Sequence, residues 1–268
     1  MIELVDVRLD HPRGGEPLVA DANLTVSRGE VVMIVGAAGA GTSRLVAAAL
    51  GELPANGGRI EVMGRDLAKL RRSSLRRMRR RIGVVPQDLL LLEDRSVETN
   101  VTLPLEIDGI SRPLTVGRAT TLLEKLGLGP AQHARVDTLS GAERQRVAVA
   151  RALIRDPELV FADHPTSMQD ATGAELVGAA LGDAADAGAA VLVLGRDPAL
   201  RAIAEARGWR TLVLLDGRLR TQAELALTEA AIDALLGGID TPVEAAPADE
   251  LEDNVVPFPL SARTAGVA

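Results

Sequence analysis

The sequence contains no cysteine and no tyrosine, and aromatic residues make up only 1% of its 268 positions. The absence of cysteine excludes disulfides and thiolate metal sites, which suits a reducing compartment. Because 47% of the residues are nevertheless hydrophobic, the core has to be built from aliphatic side chains. The formal net charge of −7 argues against a general nucleic-acid-binding protein. We therefore predict no nucleic-acid partner.

Long apolar runs are also missing. No stretch approaches the roughly 18 consecutive apolar residues of a membrane-spanning helix. The N-terminal segment MIELVDVRLD alternates apolar and polar residues, which is not the pattern of a secretory signal. We therefore expect a chain that reaches a membrane only through a partner protein.

Short apolar runs alternate with helical segments along most of the chain. Residues 2–8 alternate between apolar and polar side chains, and we interpret them as an edge strand. Strands that alternate with helices predict a mainly parallel sheet covered on both faces. The Asp216-Gly217 pair predicts a hairpin after the last strand. The other predicted strands are residues 31–35, 59–62, 82–85, 159–162, 191–194 and 211–215.

Two segments depart from this alternation. The helical pattern of residues 96–155 predicts an inserted subdomain between two strands. After Gly238 the chain becomes rich in proline, alanine and acidic residues, which is typical of a disordered tail. The chain therefore predicts one large α/β domain with an insertion and a tail.

A glycine-rich motif, GAAGAGTS, occupies residues 36–43 between a predicted strand and a predicted helix at residues 42–50. It matches the phosphate-binding pattern G-x-x-x-x-G-K-[ST] at every fixed position except the lysine, where Thr42 stands. Such glycines allow backbone N–H groups to surround an anion at a helix N-terminus. The motif therefore predicts a phosphate cradle without its cation.

Further motifs follow in a fixed order, and together they resemble the ATP-binding subunit of ABC transporters over about residues 1–225. The segments RRRIGVVPQD and NVTLPL are most similar to FtsE-type cell-division ATP-binding proteins, with lipoprotein-export relatives close behind. The motifs are Gln87 after the strand IGVV, LSGAERQR at residues 139–146, LVFAD ending at Asp163, then Asp170, and VLVLGRD ending at Asp197.

The resemblance implies a P-loop NTPase fold of the α/β class. Residues 1–225 would form an ABC-type nucleotide-binding domain with an N-terminal antiparallel β-subdomain and a helical subdomain at about residues 87–155. A C-terminal helix would follow at residues 226–240, and residues 241–268 would be a disordered acidic, proline-rich tail. ATP and Mg²⁺ would be the ligands. An integral membrane permease-like subunit would hold the chain, as a dimer, at the cytoplasmic face of the cell membrane. The complex would act in cell division or cell-wall remodelling, with this chain as an adaptor.

Roles for individual residues are implied in the same way. Asp170 would lie in the loop that links the two sites of a dimer. The residues implied to contact nucleotide are His11, Gly36, Gly39, Ala40, Gly41, Thr42, Ser43 and Arg44. Those implied for Mg²⁺ are Ser43, Gln87 and Asp163. The signature residues Ser140, Gly141, Ala142 and Glu143 would reach the γ-phosphate held by the partner.

Several of these positions depart from the family pattern. Thr42 stands in place of the phosphate-binding lysine, and His164 replaces the glutamate that polarises the attacking water. The other departures are Arg196 for the histidine that senses the γ-phosphate, Ala142 for a signature glycine, His11 for the adenine-stacking aromatic residue and Gln169 for leucine. We expect a scaffold that is retained, weakened ATP binding, and hydrolysis that is lost or severely impaired.

The expected losses are large. A charge-assisted hydrogen bond contributes about 1.5–3 kcal/mol, so loss of the lysine weakens nucleotide binding roughly 10- to 150-fold. Loss of a positioned general base costs about 10²–10⁴ in rate. Two alternatives stay open. One is a slow but active ATPase that uses Arg44 and His164 as replacements, and the other is a dimer with an intact ATPase subunit.

Two motifs have structural explanations as well. Ser140 and Glu143 form an S-x-x-E pattern, which predicts a helix capping box without any nucleotide. Seven arginines between positions 71 and 81 predict a solvated polar helix, with contact to anionic lipid headgroups as an alternative.

Overall fold

The computed structural model describes residues 1–221 and 223–224, which form two β-sheets and seven α-helices. The predicted C-terminal helix (226–240) and the predicted tail (241–268) lie outside the described residues. No helix within the described part is long and apolar enough to cross a bilayer. The helices are α1 Thr42–Ala49, α2 Arg72–Arg79, α3 Val97–Ile107, α4 Arg112–Lys125, α5 Gly141–Leu153, α6 Ala171–Asp186 and α7 Pro198–Ala206.

An antiparallel sheet forms the N-terminal subdomain, as predicted. It contains β1 Ile2–Leu9, β2 Val19–Val26, β4 Gly57–Val62 and β5 Arg65–Asp66 in the order β2-β1-β4-β5. The prediction that residues 2–8 form an edge strand was wrong, since β1 pairs with β2 on one side and β4 on the other. Alternation of apolar and polar residues shows that one face is buried, and it does not distinguish a central strand from an edge.

The second sheet is mainly parallel. Its order is β10-β9-β3-β8-β7-β6, and only β10 runs antiparallel to its neighbour. The predicted hairpin is confirmed, because Leu215 lies opposite Arg218 and both Asp216 and Gly217 have positive φ, 49° and 73°. Its strands are β3 Val31–Gly36, β6 Ile82–Val85, β7 Leu159–Asp163, β8 Ala190–Leu194, β9 Arg210–Leu215 and β10 Arg218–Thr221.

Alternate residues of each parallel strand face opposite layers. In β3, Met33 and Val35 pack with residues of α3 to α6, whereas Val32 and Ile34 pack with α1 and the antiparallel sheet. Both sets are completely buried, and Phe161 of β7 lies in the second layer. The parallel sheet is therefore covered on both faces, as the sequence predicted, by aliphatic side chains.

The helical insertion leaves the sheet after β6 and returns at β7, the strand beside it. Helix α5 lies so close to β6 that a Cβ at Gly83 would approach the Ala152 carbonyl oxygen to 2.3 Å. Because β3, β6, β7 and β8 are parallel, their carboxyl ends meet at one edge of the sheet. The loops that carry the sequence motifs leave from this edge.

Candidate functional site

The glycine loop (residues 36–43) connects the end of β3 to the start of α1. Gly39 and Gly41 have φ values of 80° and 97°, in the left-handed region that glycine adopts without strain. Gly41 is the N-cap of α1 and offers no side chain to the first-turn amides. These N–H groups are therefore left for another acceptor, which is the geometry that binds phosphate.

Thr42 folds back onto the start of this loop. A Cβ built on Gly36 would lie 2.9 Å from the Thr42 Cγ2 methyl, so the two residues are in close contact. Thr42 is half-buried. A short, neutral side chain therefore occupies the position from which a lysine would extend toward the outer phosphates.

Ser43 and Asp163 meet across the sheet edge. The Ser43 hydroxyl donates to Asp163 Oδ2 at 2.9 Å. The other carboxylate oxygen, Oδ1, is buried and accepts no hydrogen bond from the described residues. A hydroxyl beside a carboxylate with a free oxygen is a suitable donor pair for Mg²⁺. The amide of Gln87, after β6, borders the same space.

His164 follows Asp163 directly and has a φ of 51°, a left-handed conformation that is uncommon outside glycine but that histidine adopts more often than most residues. Its backbone N–H donates to the Leu194 carbonyl at 2.8 Å, and this bond fixes the turn at the end of β7. The imidazole Nε2 lies 3.9 Å from Asp163 Oδ1. His164 therefore sits beside the candidate metal ligand.

Thr42, Ser43, Gln87 and His164 line one open cleft of about 680 Å³, and Asp163 borders an adjoining space that also contacts Ser43 and Gln87. The glycine loop forms one wall, and the segment from Arg196 to Arg201 forms the opposite wall. The carboxylate of Asp197 is engaged by the Thr166 hydroxyl and the Leu200 N–H, both at 2.9 Å. The wall that faces the loop therefore carries charges of both signs, those of Arg196 and Asp197. The cleft is also lined by Ser167.

Some predicted nucleotide-contacting residues do not line this cleft. His11 lies in the turn after β1, where its Nδ1 accepts from the Arg13 N–H at 3.1 Å. Arg44 is half-buried on α1 with its Nε enclosed and unpartnered among the described residues. Ala40 packs against the core beneath the antiparallel sheet, and Gly41 is buried beside Leu18.

The signature residues begin α5 and are also outside the cleft. The predicted capping box is confirmed, since Glu143 N–H donates to Ser140 Oγ at 3.3 Å and Ser140 N–H donates to the Glu143 carboxylate at 3.0 Å. Hydrogen bonds from the Ser140 hydroxyl and backbone lower the pKa of Glu143. Gly141 is exposed and Ala142 half-buried. This end of α5 is therefore open to a second chain.

A buried network that the sequence did not reveal joins α5 to the loop after β7. Gln145 is 2% exposed, and its amide donates to the His164 carbonyl at 2.8 Å and to Ser167 Oγ at 3.1 Å. Its oxygen accepts from Met168 N–H and from Gln169 Nε2. We call Gln145, Ser167 and Gln169 the glutamine network.

The glutamine network continues to the signature residues and to the next helix. Gln169 Nε2 donates to the Ala142 carbonyl at 2.8 Å, and its oxygen accepts from Arg146 at 2.8 Å. Asp170, predicted to link two sites of a dimer, caps α6 by accepting from the Gly173 N–H at 2.7 Å. The start of α5 and the turn at His164 are therefore held in one rigid arrangement.

Comparison with known proteins agrees with this geometry. The family model described as ABC transporter matches residues 19–167. The chain is 39% identical over 170 residues to the methionine import ATP-binding protein MetN of Rhizobium etli, which is 63% of this chain and 46% of that protein. It is 36% identical over 223 residues to the macrolide export ATP-binding/permease protein MacB of Shigella flexneri, which is 82% of this chain and 34% of that protein. The chain therefore spans less than half the length of these curated relatives.

Solved structures give the same result. A dimeric ATP-binding cassette in a post-hydrolysis state, bound to ADP and Pi, superposes with a TM-score of 0.74 at 28% identity. The match covers 82% of this chain and 97% of the other. A dimeric bacterial ABC transporter cassette superposes with a TM-score of 0.73, also at 28% identity and with the same coverage.

Proposed function

Because the chain belongs to the ABC transporter family, we propose that it is the ATP-binding subunit of a membrane complex and that its ATP hydrolysis is lost or severely impaired. One observation carries this proposal. Thr42 and His164 line the cleft at the two positions where the family pattern requires a lysine and a glutamate. The subunit would then act as an adaptor that holds nucleotide without consuming it.

Binding would be weakened rather than abolished. The Ala40 N–H donates to the Ala37 carbonyl at 3.0 Å, and other amides of the glycine loop remain available. The Thr42 methyl packs on Gly36 and supplies no charge. Loss of one charge-assisted contact weakens binding roughly 10- to 150-fold. Arg196 lines the opposite wall and brings a cation to the cleft. These features support a site that still accepts a nucleotide.

Hydrolysis would be affected more strongly. The two carboxylates nearest the cleft already have structural partners: Asp163 accepts from Ser43, and Asp197 caps α7. The imidazole of His164 carries no negative charge and lies beside Asp163. Loss of a positioned general base costs about 10²–10⁴ in rate. We therefore infer that no carboxylate among the described residues is placed to activate a water for attack.

Magnesium would be held by Ser43, Asp163 and Gln87, whose oxygen atoms suit this cation. When bound, Mg²⁺ would neutralise phosphate charge. The Ser43–Asp163 pair orients the carboxylate, and the unpartnered Oδ1 of Asp163 gives it a free acceptor. The site therefore keeps the oxygen donors that would hold the metal, whereas it lacks the carboxylate that would activate the attacking water.

The partners follow from the family and from the open start of α5. We propose a homodimer, or a dimer with an intact ATPase subunit, on the cytoplasmic side of an integral membrane permease-like protein. A cell-division role, expected from the resemblance to FtsE, stays a prediction. The relatives named above carry names that refer to methionine import and macrolide export, and these names do not support it.

Calorimetry with ATP and Mg²⁺, combined with a phosphate-release assay, tests the proposal. We expect measurable but weak ATP binding and phosphate release at the level of a buffer control. Turnover at the rate of ordinary ABC ATPases would refute the loss of hydrolysis and leave family membership intact.

A slow but active ATPase is the second candidate, and the position of His164 in the cleft favours it. That hypothesis also needs Arg44, which does not line the cleft. Arg44→Ala should abolish turnover if Arg44 supplies the missing charge. Unchanged residual turnover in this variant would reject that role of Arg44.

A further inference from the structure

Helix α2 carries a concentration of positive charge that the nucleotide site does not use. Seven of the 30 basic residues of this acidic protein lie between positions 71 and 81. We define the arginine face as Arg72, Arg76, Arg77 and Arg80, all of them exposed. At 100° per residue these four side chains fall within an arc of about 140° on the helix.

The opposite side of α2 fixes the helix on the domain. Met78 is buried, and Leu75 packs against Gly51. Arg79 donates to the carbonyls of Leu50 and Gly51 at 2.9 and 3.0 Å. These contacts determine which side of α2 points outward, so the arginine face is a fixed feature of the surface.

The arginine face has almost no counter-charge within the described residues. The side chains of Arg72, Arg76 and Arg77 form no hydrogen bond or ion pair there. Arg80 has one long ion pair, 3.9 Å to Asp108, and that carboxylate is already paired with Arg155 at 2.8 Å. Neighbouring Arg81 differs, since it is neutralised by Glu158. Unpaired charges of one sign in a protein of net charge −7 point to an anionic ligand.

We propose that the arginine face binds the phosphate headgroups of an anionic membrane surface. The proposal rests on the proposed function, which places the chain beside a membrane. The face carries arginines and Ser73 but no large exposed apolar side chain. Protein interfaces have an apolar centre, whereas a layer of phosphates requires only cationic donors that bind phosphate in a bidentate manner. Nucleic-acid sites usually add aromatic stacking, and α2 contains no aromatic residue.

Sedimentation of the full chain with vesicles tests the proposal. We expect binding to vesicles that contain phosphatidylglycerol, no binding to vesicles of phosphatidylcholine alone, and release by salt. Each arginine near an anionic surface contributes a factor of about five, so the variant Arg72→Gln, Arg76→Gln, Arg77→Gln, Arg80→Gln should lose several hundredfold in partitioning. Glutamine has nearly the helix propensity of arginine, so α2 should be retained.

A charge-matched variant provides the control. Replacement of the exposed Arg13, Arg65, Arg95 and Arg220 by glutamine changes the net charge equally and should leave partitioning within a fewfold of the parent. Equal loss in both variants, or binding that survives in the arginine-face variant, would overturn the proposal. Displacement by inorganic phosphate at constant ionic strength would overturn it too, because it would indicate a site for a free anion.

The vesicle assay contains no nucleotide, so its result does not depend on ATP chemistry. ATP binding by the arginine-face variant should equal that of the parent. Failure of vesicle binding with normal ATP binding would reject the membrane surface alone. Active ATP turnover with normal vesicle binding would reject only the loss of hydrolysis.

Discussion

The nucleotide cleft and the glutamine network behind it share the turn at His164, and they differ sharply. In the network, the carbonyl of His164 and both polar ends of Gln145 are hydrogen-bonded. In the cleft, Thr42 and His164 stand where the family pattern has a lysine and a glutamate. If the proposed function holds, the fold keeps its architecture at this turn without the chemistry.

The strongest test of this difference between the cleft and the glutamine network is to restore the two family residues in the cleft. The double variant Thr42→Lys, His164→Glu returns a cation and a carboxylate to the cleft walls. We expect phosphate release to rise about 10²- to 10⁴-fold, the usual effect of a general base, measured with ATP and Mg²⁺.

The single variant His164→Glu is the control for the double variant. It should gain much less, because residues that act as a unit are strongly non-additive. No gain in the double variant would show that other departures, such as Arg196 or Ala142, also block turnover.

The single variant Thr42→Lys tests the contribution of the missing lysine to ATP affinity. Thr42→Lys should tighten ATP binding roughly 10- to 150-fold, because it adds a charge-assisted hydrogen bond beside the glycine loop. Calorimetry measures the change. Arg44→Lys is the control, and it should leave the affinity unchanged because Arg44 does not line the cleft. Because Arg44→Lys leaves the net charge unchanged, an equal gain from both changes would contradict a specific effect of a lysine at position 42.

Breaking the glutamine network should cost stability. Gln145→Ala removes four hydrogen bonds from a residue that is 2% exposed and leaves the Met168 N–H without its partner. We expect a loss of about 2 kcal/mol in the free energy of unfolding, measured by urea denaturation. Gln87→Ala, at an exposed residue, should change stability by less than about 0.5 kcal/mol. Similar effects of both changes would contradict a structural role for the network.

Local patterns in the sequence predicted most of the fold that positions the site. The buried strand before Gly36 and the helix after it are confirmed as β3 and α1. The strand and the helix were predictable because glycine spacing and apolar runs reflect nearby residues. Ser43 and Asp163, which only the family resemblance implied together as Mg²⁺ ligands, share a hydrogen bond of 2.9 Å.

Features that depend on distant contacts were not predictable. Gln145 and Gln169 are polar residues without a distinctive local pattern, and they meet only because α5 packs beside the loop after β7. The position of β1 inside its sheet depends on β4, some 50 residues away, so alternation alone gave the wrong edge assignment. The placement of Arg44 outside the cleft agrees with a 100° rotation per helical residue.

The smallest predicted effect concerns the boundary between the two regions, at the start of α5. Ser140→Ala removes the cap and should destabilise the protein by about 1 kcal/mol. Hydrogen bonds from Ser140 lower the pKa of Glu143. The stability that these bonds to the Glu143 carboxylate contribute is therefore fully present above the ordinary pKa of glutamate. It is lost as the pH falls through the lowered pKa of Glu143 in the folded state. Urea denaturation at neutral and acidic pH should show this decrease in the free energy of unfolding. The pKa of Glu143, followed by NMR, should be higher in the variant than in the parent. Ser111→Ala is the matched control, since Ser111 precedes α4 without a side-chain cap. If both substitutions cost the same, the start of α5 is held by the glutamine network instead of its capping box.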